Sequence, residues 1–307
     1  MSSPIIEQYC AGRRELADRL QAEFPNDPHL PELLRRTLWS PAYCRADGRP
    51  EFFFPPVKWR YRFEVIGSEP GPLQVENIAG RYLRLQVNTN WCLDMSRFRD
   101  ADDYFGQLSK KTRKKLRWLQ NSYEKNEVRF EPIRDRAGLE EFAAMYLAQW
   151  PGADWCGALK ESWFRVTLKL EEWGRNCSFL LREPGGTCLA ASLGYLTDKA
   201  FNLHLLTHRP GAWDKYSPGF YLAYRLVREM LESHRAELFL FGPGEFDYKR
   251  TLLGEPLPVF RYETRTWLNL LGILKLRNRL RKERLRRQAA SAAAAGGDDD
   301  GPESNAG

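Results

Sequence analysis

The sequence lacks the features of an exported or membrane-spanning protein. No basic stretch followed by an apolar run occurs at the start, so we expect no export signal and a cytoplasmic location. The longest apolar stretch near either terminus, residues 267–276, is interrupted by Asn269 and Lys275. It falls well short of the roughly 20 residues needed to cross a bilayer. No membrane span is therefore predicted.

Cysteine is scarce, and its spacing carries no metal or disulfide signature. The six cysteines, at positions 10, 44, 92, 156, 177 and 188, form no CxxC pair and do not cluster with histidine. A zinc site or a disulfide framework would need such clusters or pairs. We expect reduced, buried thiols and no bound metal.

The basic excess is local rather than global. The net charge is +7, and residues 275–288 account for all of it, with eight Lys or Arg and one Glu. A second basic cluster is balanced by acids elsewhere and comprises Lys110, Lys111, Arg113, Lys114, Lys115 and Arg117. Such clusters are usually solvated helix faces. Contact with a polyanion such as a tRNA acceptor stem stays open, because Trp118 alone is a weak stacking signal.

Hydrophobic periodicity predicts an α+β protein. Helices are expected over residues 5–24, 102–125, 139–150, 161–173 and 217–234, with strands over 51–66, 81–88, 128–132, 177–181, 188–196, 201–207, 237–241 and 259–264. Residues 267–288 read as a basic amphipathic helix, which either docks on the protein or lies on an anionic membrane surface. The low-complexity tail 289–307 is expected to be disordered.

Three motifs in this pattern resemble one protein family. They are the basic run from Leu108 to Arg117, the turn from Ser217 to Phe220, and the segment from Phe241 to Lys249. Together they are similar to the CelD-like and Fem-related branch of the GNAT acyltransferases. The resemblance covers about residues 95–266 and implies a mixed, mostly antiparallel sheet flanked by helices. It also implies a shortened or degenerate first lobe over 1–100, a connecting helix over 101–126 and an acyltransferase lobe over 127–266.

The resemblance implies an enzyme that transfers an acyl group from acetyl-CoA or another acyl-CoA to an amine. The acceptor class it suggests is an amino sugar, in polysaccharide or cell-envelope synthesis. Two alternatives stay open: a Fem-like transferase that uses aminoacyl-tRNA, and a non-catalytic module that binds RNA or membrane through its basic helices. Donor binding distinguishes the enzyme from the module.

The turn before the helix at residue 217 is the expected donor site. Ser217 is predicted as the N-cap with Pro218 at the first helical position, which leaves backbone N–H groups for an anion. Gly219 would let a pyrophosphate approach the backbone. The other predicted donor-binding residues are Tyr216, Phe220, Lys215 and Arg209. An ordinary capped helix is the alternative interpretation.

The segment after the strand at 237–241 is the expected catalytic site. Lys249 could pair with a donor phosphate or stabilise the oxyanion, and Tyr248 could protonate a leaving thiolate, as a tyrosine does in many GNAT enzymes. Glu245 and Asp247 are candidate bases. A solvated turn with paired charges would look the same in sequence. His204 lies between two leucines on a strand and is interpreted as structural.

Overall fold

The protein is represented by a computed structural model that describes residues 4–37, 42–44, 50–52, 62–66, 75–78, 82–151, 159–264 and 278. The helices of this part are α1 (Pro4–Glu23), α2 (Leu30–Thr37), α3 (Ala101–Gln107), α4 (Lys110–Lys125), α5 (Arg136–Gln149), α6 (Lys160–Glu172), α7 (Pro218–Glu232) and α8 (Asp247–Thr251). The basic helix predicted over 267–288 and the tail 289–307 lie outside the described residues, apart from position 278.

The single helix predicted over 102–125 is wrong, because the chain forms two helices there. Leu108 has an extended backbone, with φ −65° and ψ 151°, and ends α3. The Ser109 hydroxyl then accepts the Thr112 backbone N–H at 3.2 Å and begins α4. Serine is a favourable N-cap residue, so a new helix begins at this point. The apolar spacing of the sequence continues across the break and therefore does not reveal it.

The strands are β1 (Ala42–Cys44), β2 (Pro50–Phe52), β3 (Arg62–Ile66), β4 (Val75–Ile78), β5 (Tyr82–Asp94), β6 (Arg129–Pro132), β7 (Phe179–Arg182), β8 (Cys188–Leu196), β9 (Ala200–His208), β10 (Leu238–Pro243) and β11 (Glu255–Thr264). Among the described residues, β1 and β2 form a separate two-stranded antiparallel sheet, and the other nine strands form one sheet. Its order is β3-β11-β5-β10-β9-β8-β7-β6, with β4 paired to β5. This mixed, mostly antiparallel sheet confirms the predicted α+β fold.

Strands from the first hundred residues belong to this same sheet. β5 pairs with both β10 and β11, and β3 pairs with the outer side of β11. The division into a first lobe and an acyltransferase lobe stays a prediction. In the structure, β3, β4 and β5 form one side of the same sheet that contains β9 and β10.

The site depends on the parallel pair at the centre of the sheet. β9 and β10 pair only over Ala200–Asn202 and Leu238–Leu240. Both strands then continue, to His208 and Pro243, without pairing to each other. The register of β10 against β5 shifts between Leu240 and Gly242, where a bulge turns β10 away from β9. The two strands therefore splay apart and open a gap in the sheet.

Helices cover both faces of the sheet and bury two apolar clusters. One cluster joins α4 and α7 to the sheet and includes Leu116, Leu222 and Phe239, all nearly inaccessible to solvent. The other joins α1, α2, α5 and α6 to the opposite face and includes Leu16, Phe142 and Phe164. These clusters fix the positions of the helix ends that surround the gap between β9 and β10.

Within the described residues, no helix is both long and apolar enough to cross a membrane. In the same part of the chain, no group of three His, Cys, Asp or Glu side chains could hold a metal ion. Cys92, Cys177 and Cys188 are free thiols, and burial raises the pKa of each to about 12. They are therefore unreactive at neutral pH.

Candidate active site

A cavity of about 660 Å³ occupies the gap where β9 and β10 part. Leu203 to Leu206 of β9 and Phe241 of β10 form its floor. The ends of α5, α7 and α8 surround it, and aromatic side chains such as Trp150 and Phe246 lie at its mouth. Both of these rings are more than half exposed. The cavity is therefore mainly apolar, with polar groups concentrated at the helix ends.

The N-terminus of α7 forms one end of the cavity, where Ser217, Pro218, Gly219 and Phe220 line it. Ser217 accepts the Tyr221 N–H through its carbonyl at 3.0 Å, which is the first bond of the helix. The N–H groups of Gly219 and Phe220 precede that bond and have no acceptor within the helix. The positive end of the helix dipole therefore points into the cavity.

The Ser217 side chain does not cap α7, which corrects the prediction from sequence. Its backbone is left-handed, with φ 49° and ψ 59°, and its hydroxyl makes no cap hydrogen bond. The hydroxyl instead accepts a hydrogen bond from Lys115 Nζ at 3.3 Å. The strained backbone turns the serine away from the first helical turn, and the N–H groups stay open to a ligand.

Lys115 is a site residue that the sequence did not single out. It lies on α4, and its Nζ is 4.7 Å from the centre of the Phe220 ring as well as beside Ser217. The same rim carries an opposing charge, because Asp214 also lines the cavity and accepts the Gly211 N–H at 3.0 Å. Helix α4 thus adds a cation to the positive end of α7.

Lys249 and Tyr248 line the other end of the cavity, because Gly242, which accepts a hydrogen bond from Lys249, lies beside Leu203 of β9, whereas Gly219 lies beside His208 at the end of that strand. Lys249 is 1% exposed, and its Nζ donates to the carbonyls of Gly242 at 2.8 Å and Gly244 at 3.1 Å. Both glycines have positive φ, which turns their carbonyls towards the amine. Burial lowers the pKa of Lys249 to about 7. Burial also raises the pKa of Tyr248 above its usual range, so its phenol stays protonated.

The two candidate bases of the same segment lie elsewhere. Glu245 and Asp247 are exposed and are not among the residues that line the cavity. α8 is a single turn, so only the face that carries Tyr248 and Lys249 points inward. The sequence placed all four residues at one site, and the structure brings two of them to the cavity.

The three remaining predicted donor ligands also lie outside the cavity lining. Arg209 is exposed and donates through Nε to the Cys188 carbonyl at 3.0 Å. Lys215 is exposed and lies 4.9 Å from the centre of the Tyr216 ring. Tyr216 stacks on Trp118, with 5.4 Å between ring centres. Of the six predicted donor residues, Ser217, Gly219 and Phe220 therefore line the cavity.

Two histidines of β9 line the cavity. The Nδ1 of His204 is buried and has no hydrogen-bond partner among the described residues. Burial, and the nearby positive charge of Arg13, lower the pKa of His204 to about 4, so it is neutral at pH 7. A Cβ placed on Gly219 would lie 3.7 Å from His208 Nδ1, so His208 is adjacent to the start of α7.

Comparison with known proteins identifies the segment that builds this site. Residues 109–250 match the family model described as an acetyltransferase (GNAT) domain. No curated protein sequence matches the chain significantly. The segment contains the helix α7, the splayed strands and the residues Tyr248 and Lys249.

Several solved structures are similar at low sequence identity. FemX is 12% identical with a TM-score of 0.46, and the match covers 62% of this chain and 64% of FemX. L-PGS from Bacillus licheniformis is 14% identical with a TM-score of 0.43, covering 66% of this chain and 67% of that one. This chain thus spans about two thirds or slightly less of the length of each. With the motifs, the mixed sheet and the domain match in agreement, residues 109–250 belong to the GNAT acyltransferase superfamily.

Proposed function

We propose that this protein is an N-acyltransferase that moves an acyl group from a thioester donor to an amine. The observation that carries the proposal is the cavity between β9 and β10. The N-terminus of α7 lies at one end of it, and Lys249 and Tyr248 lie at the other. An anion can therefore be held at one end while a carbonyl reacts at the other.

The proposed donor is acetyl-CoA or a longer acyl-CoA. Its pyrophosphate would accept hydrogen bonds from the backbone N–H groups of Gly219 and Phe220, and Lys115 would be its counter-ion. The Gly219 side of the cavity is open enough for this approach, because the nearest atom to a Cβ there is 3.7 Å away. The acyl-pantetheine arm would then lie along β9. In the described structure, the edge of β9 that faces β10 has no paired strand after Asn202, so its backbone is available to the arm.

The chemistry assigned to the other end needs an oxyanion donor and a proton donor. The acceptor nitrogen attacks the thioester carbonyl, and the C–N bond forms as the C–S bond breaks. Lys249, as the ammonium, would donate a hydrogen bond to the oxyanion of the tetrahedral intermediate. Tyr248 would give its proton to the leaving thiolate and regain one from the acceptor nitrogen. Glu245 and Asp247 are not used, because they do not line the cavity.

The acceptor that we propose is an amine on a small molecule or saccharide, with an amino sugar of polysaccharide or cell-envelope synthesis as the class that the motif resemblance favours. We also propose a cytoplasmic location, with peripheral membrane contact through residues 267–288 as an alternative.

An aminoacyl-tRNA donor is the second candidate, and one observation favours it. Helix α4 carries six Lys or Arg residues between positions 110 and 117, and one of them, Lys115, reaches the rim of the cavity. A polyanion along α4 could therefore present an aminoacyl ester to the same Lys249. The third candidate is a GNAT-like module that binds RNA or membrane without catalysis.

Calorimetric titration of acetyl-CoA and longer acyl-CoAs tests the proposal. We compare the wild type with Gly219→Glu and with Gly219→Gln, which has nearly the same volume but no charge. Tight binding that the Glu variant loses and the Gln variant largely keeps would support a phosphate at the start of α7. If no acyl-CoA binds the wild type, acylation assays with aminoacyl-tRNA decide between the second candidate and a non-catalytic module.

A further inference from the structure

An exposed aromatic stack lies at the rim of the cavity. Trp118 is 49% exposed and stacks on Tyr216 with an interplanar angle of 25°. Tyr216 is held in place by α4, because the Tyr123 hydroxyl donates a hydrogen bond to the Tyr216 backbone carbonyl at 3.2 Å. The ring of Trp118 thus offers solvent a flat apolar surface that is fixed by stacking.

The same face of α4 carries a row of cations. Lys111, Lys115 and Trp118 are spaced at i, i+4 and i+7, and Lys114 lies four residues before Trp118, so all four share one side of the helix. The three lysines are exposed. No acidic residue occurs between positions 110 and 119. A flat ring therefore adjoins a positive strip.

This combination continues directly into the donor end of the cavity. Lys115 contacts Ser217 at 3.3 Å, and Ser217 lines the cavity one residue after Tyr216. A ligand whose base stacks on Trp118 would place its phosphate near Lys115 and the start of α7. Stacking on an exposed aromatic ring beside cations is the general mode by which proteins hold an unpaired base and its phosphate.

We propose that Trp118, stacked on Tyr216, with Lys111, Lys114 and Lys115, binds the adenosine 5′-phosphate end of the acyl donor. This inference rests on the proposed function, because it extends the donor from the cavity onto α4. Adenosine 5′-phosphate ends both coenzyme A and the 3′ terminus of tRNA, so one site serves either source.

The first test uses adenosine 3′,5′-bisphosphate, which has the base and phosphates but no pantetheine. Calorimetry on the full chain should show binding that Trp118→Ala weakens by at least about fivefold, as expected for loss of base stacking. Trp118→Phe should keep most of the affinity. Trp173→Ala is the control, because Trp173 is also partly exposed but follows α6 and packs against the apolar cluster on the opposite face of the sheet. It should not change bisphosphate binding.

Three further ligands separate the two sources of adenosine and the two proposals. Acetyl-CoA and an RNA acceptor stem ending in CCA are titrated separately, and the one whose affinity depends on Trp118 is the source. Phosphopantetheine lacks the adenosine, so its binding should be weakened by Gly219→Glu and unaffected by Trp118→Ala.

Two results would overturn the inference. If Trp118→Ala binds acetyl-CoA and the RNA as tightly as the wild type, the adenosine site is wrong, while sensitivity to Gly219→Glu would leave the proposed function standing. If the wild type binds neither adenosine ligand, both proposals fail. Because Trp118 is on the surface, the thermal midpoint of Trp118→Ala should match that of Trp118→Phe.

Discussion

Lys115 Nζ lies 3.3 Å from Ser217 Oγ, so the basic helix α4 meets the start of α7 although 102 residues of chain separate them. This contact places a cation where the helix dipole of α7 is also positive. Both effects favour an anion at the same point. It also brings one residue of the basic run of α4 to the cavity rim, while Lys111 and Lys114 remain exposed on the same helix.

The first prediction concerns this cation. Lys115→Gln should weaken acyl-donor binding by roughly two- to fivefold at low salt, because an exposed charge contributes modestly and is screened. The difference in donor affinity between Lys115→Gln and the wild type should become smaller as the salt concentration rises. Lys125→Gln removes an equal charge from the opposite end of the same helix, and its affinity should match the wild type. Equal losses in both variants would indicate a diffuse charge effect instead.

The second prediction concerns catalysis by Lys249. Lys249→Met should lower kcat by on the order of 100-fold, the usual effect of losing an oxyanion donor, and leave donor affinity nearly unchanged. Asp247→Asn serves as the control within the same segment and should retain wild-type kcat, because Asp247 is exposed. Steady-state kinetics with any accepted amine provide the measurement. A large loss in Asp247→Asn would restore that carboxylate as a base.

The third prediction concerns the pH dependence of stability. Burial holds the pKa of Lys249 at about 7 in the folded protein, whereas its model value is 10.5. Between these values the unfolded chain binds the extra proton, so the contribution of Lys249 to stability rises with pH. The slope approaches about 1.4 kcal/mol per pH unit.

Urea unfolding of the wild type and Lys249→Met, at several pH values from 6 to 9.5, measures this slope. The stability difference should be flat below pH 7 and should move in favour of the wild type above it. A difference that stays constant across the series would mean that Lys249 is charged in the folded protein at every pH measured.

The fourth prediction concerns the packing of β8 against β9. A Cβ at Gly194 would lie 2.5 Å from the Phe201 ring and 2.9 Å from the Cys177 carbonyl. Phe201 is fully buried, so it has no space in which to move. Gly194→Ala should therefore destabilise the protein by about 1–3 kcal/mol, the usual cost of overpacking. Thermal unfolding gives the value.

The matched control for that variant is Gly106→Ala. Gly106 lies in α3 with no atom within 4 Å of its added Cβ. Alanine is the better helix former, so this variant should be as stable as the wild type or slightly more so. A similar loss in both variants would indicate that backbone freedom, not packing, is the reason for glycine at position 194.

The order of the elements was predictable because it depends on local patterns. Strands β8 and β9 and helix α7 lie where alternation and helical spacing placed them. The break between α3 and α4 was missed, since a capping serine barely disturbs the apolar period. The three motifs indicated the superfamily, and the domain match over 109–250 confirmed it.

The residues of the site were only partly predictable. Gly219, Tyr248 and Lys249 line the cavity, whereas Arg209 and Asp247 do not. Spacing along the chain shows which residues are close in sequence, but a one-turn helix such as α8 sends its neighbours in opposite directions. Lys115 was noted only as one residue of a basic run, His204 was interpreted as structural, and His208 gave no sequence signal of a site.

The sequence by itself determined the α+β element order and the helix start at residues 217–219, because each follows from the propensities of adjacent residues. Only the tertiary structure decided that β9 and β10 splay, that Lys249 is buried between two carbonyls, and that Trp118 stacks on Tyr216. Those arrangements depend on contacts between distant segments, and packing of the two apolar clusters sets them.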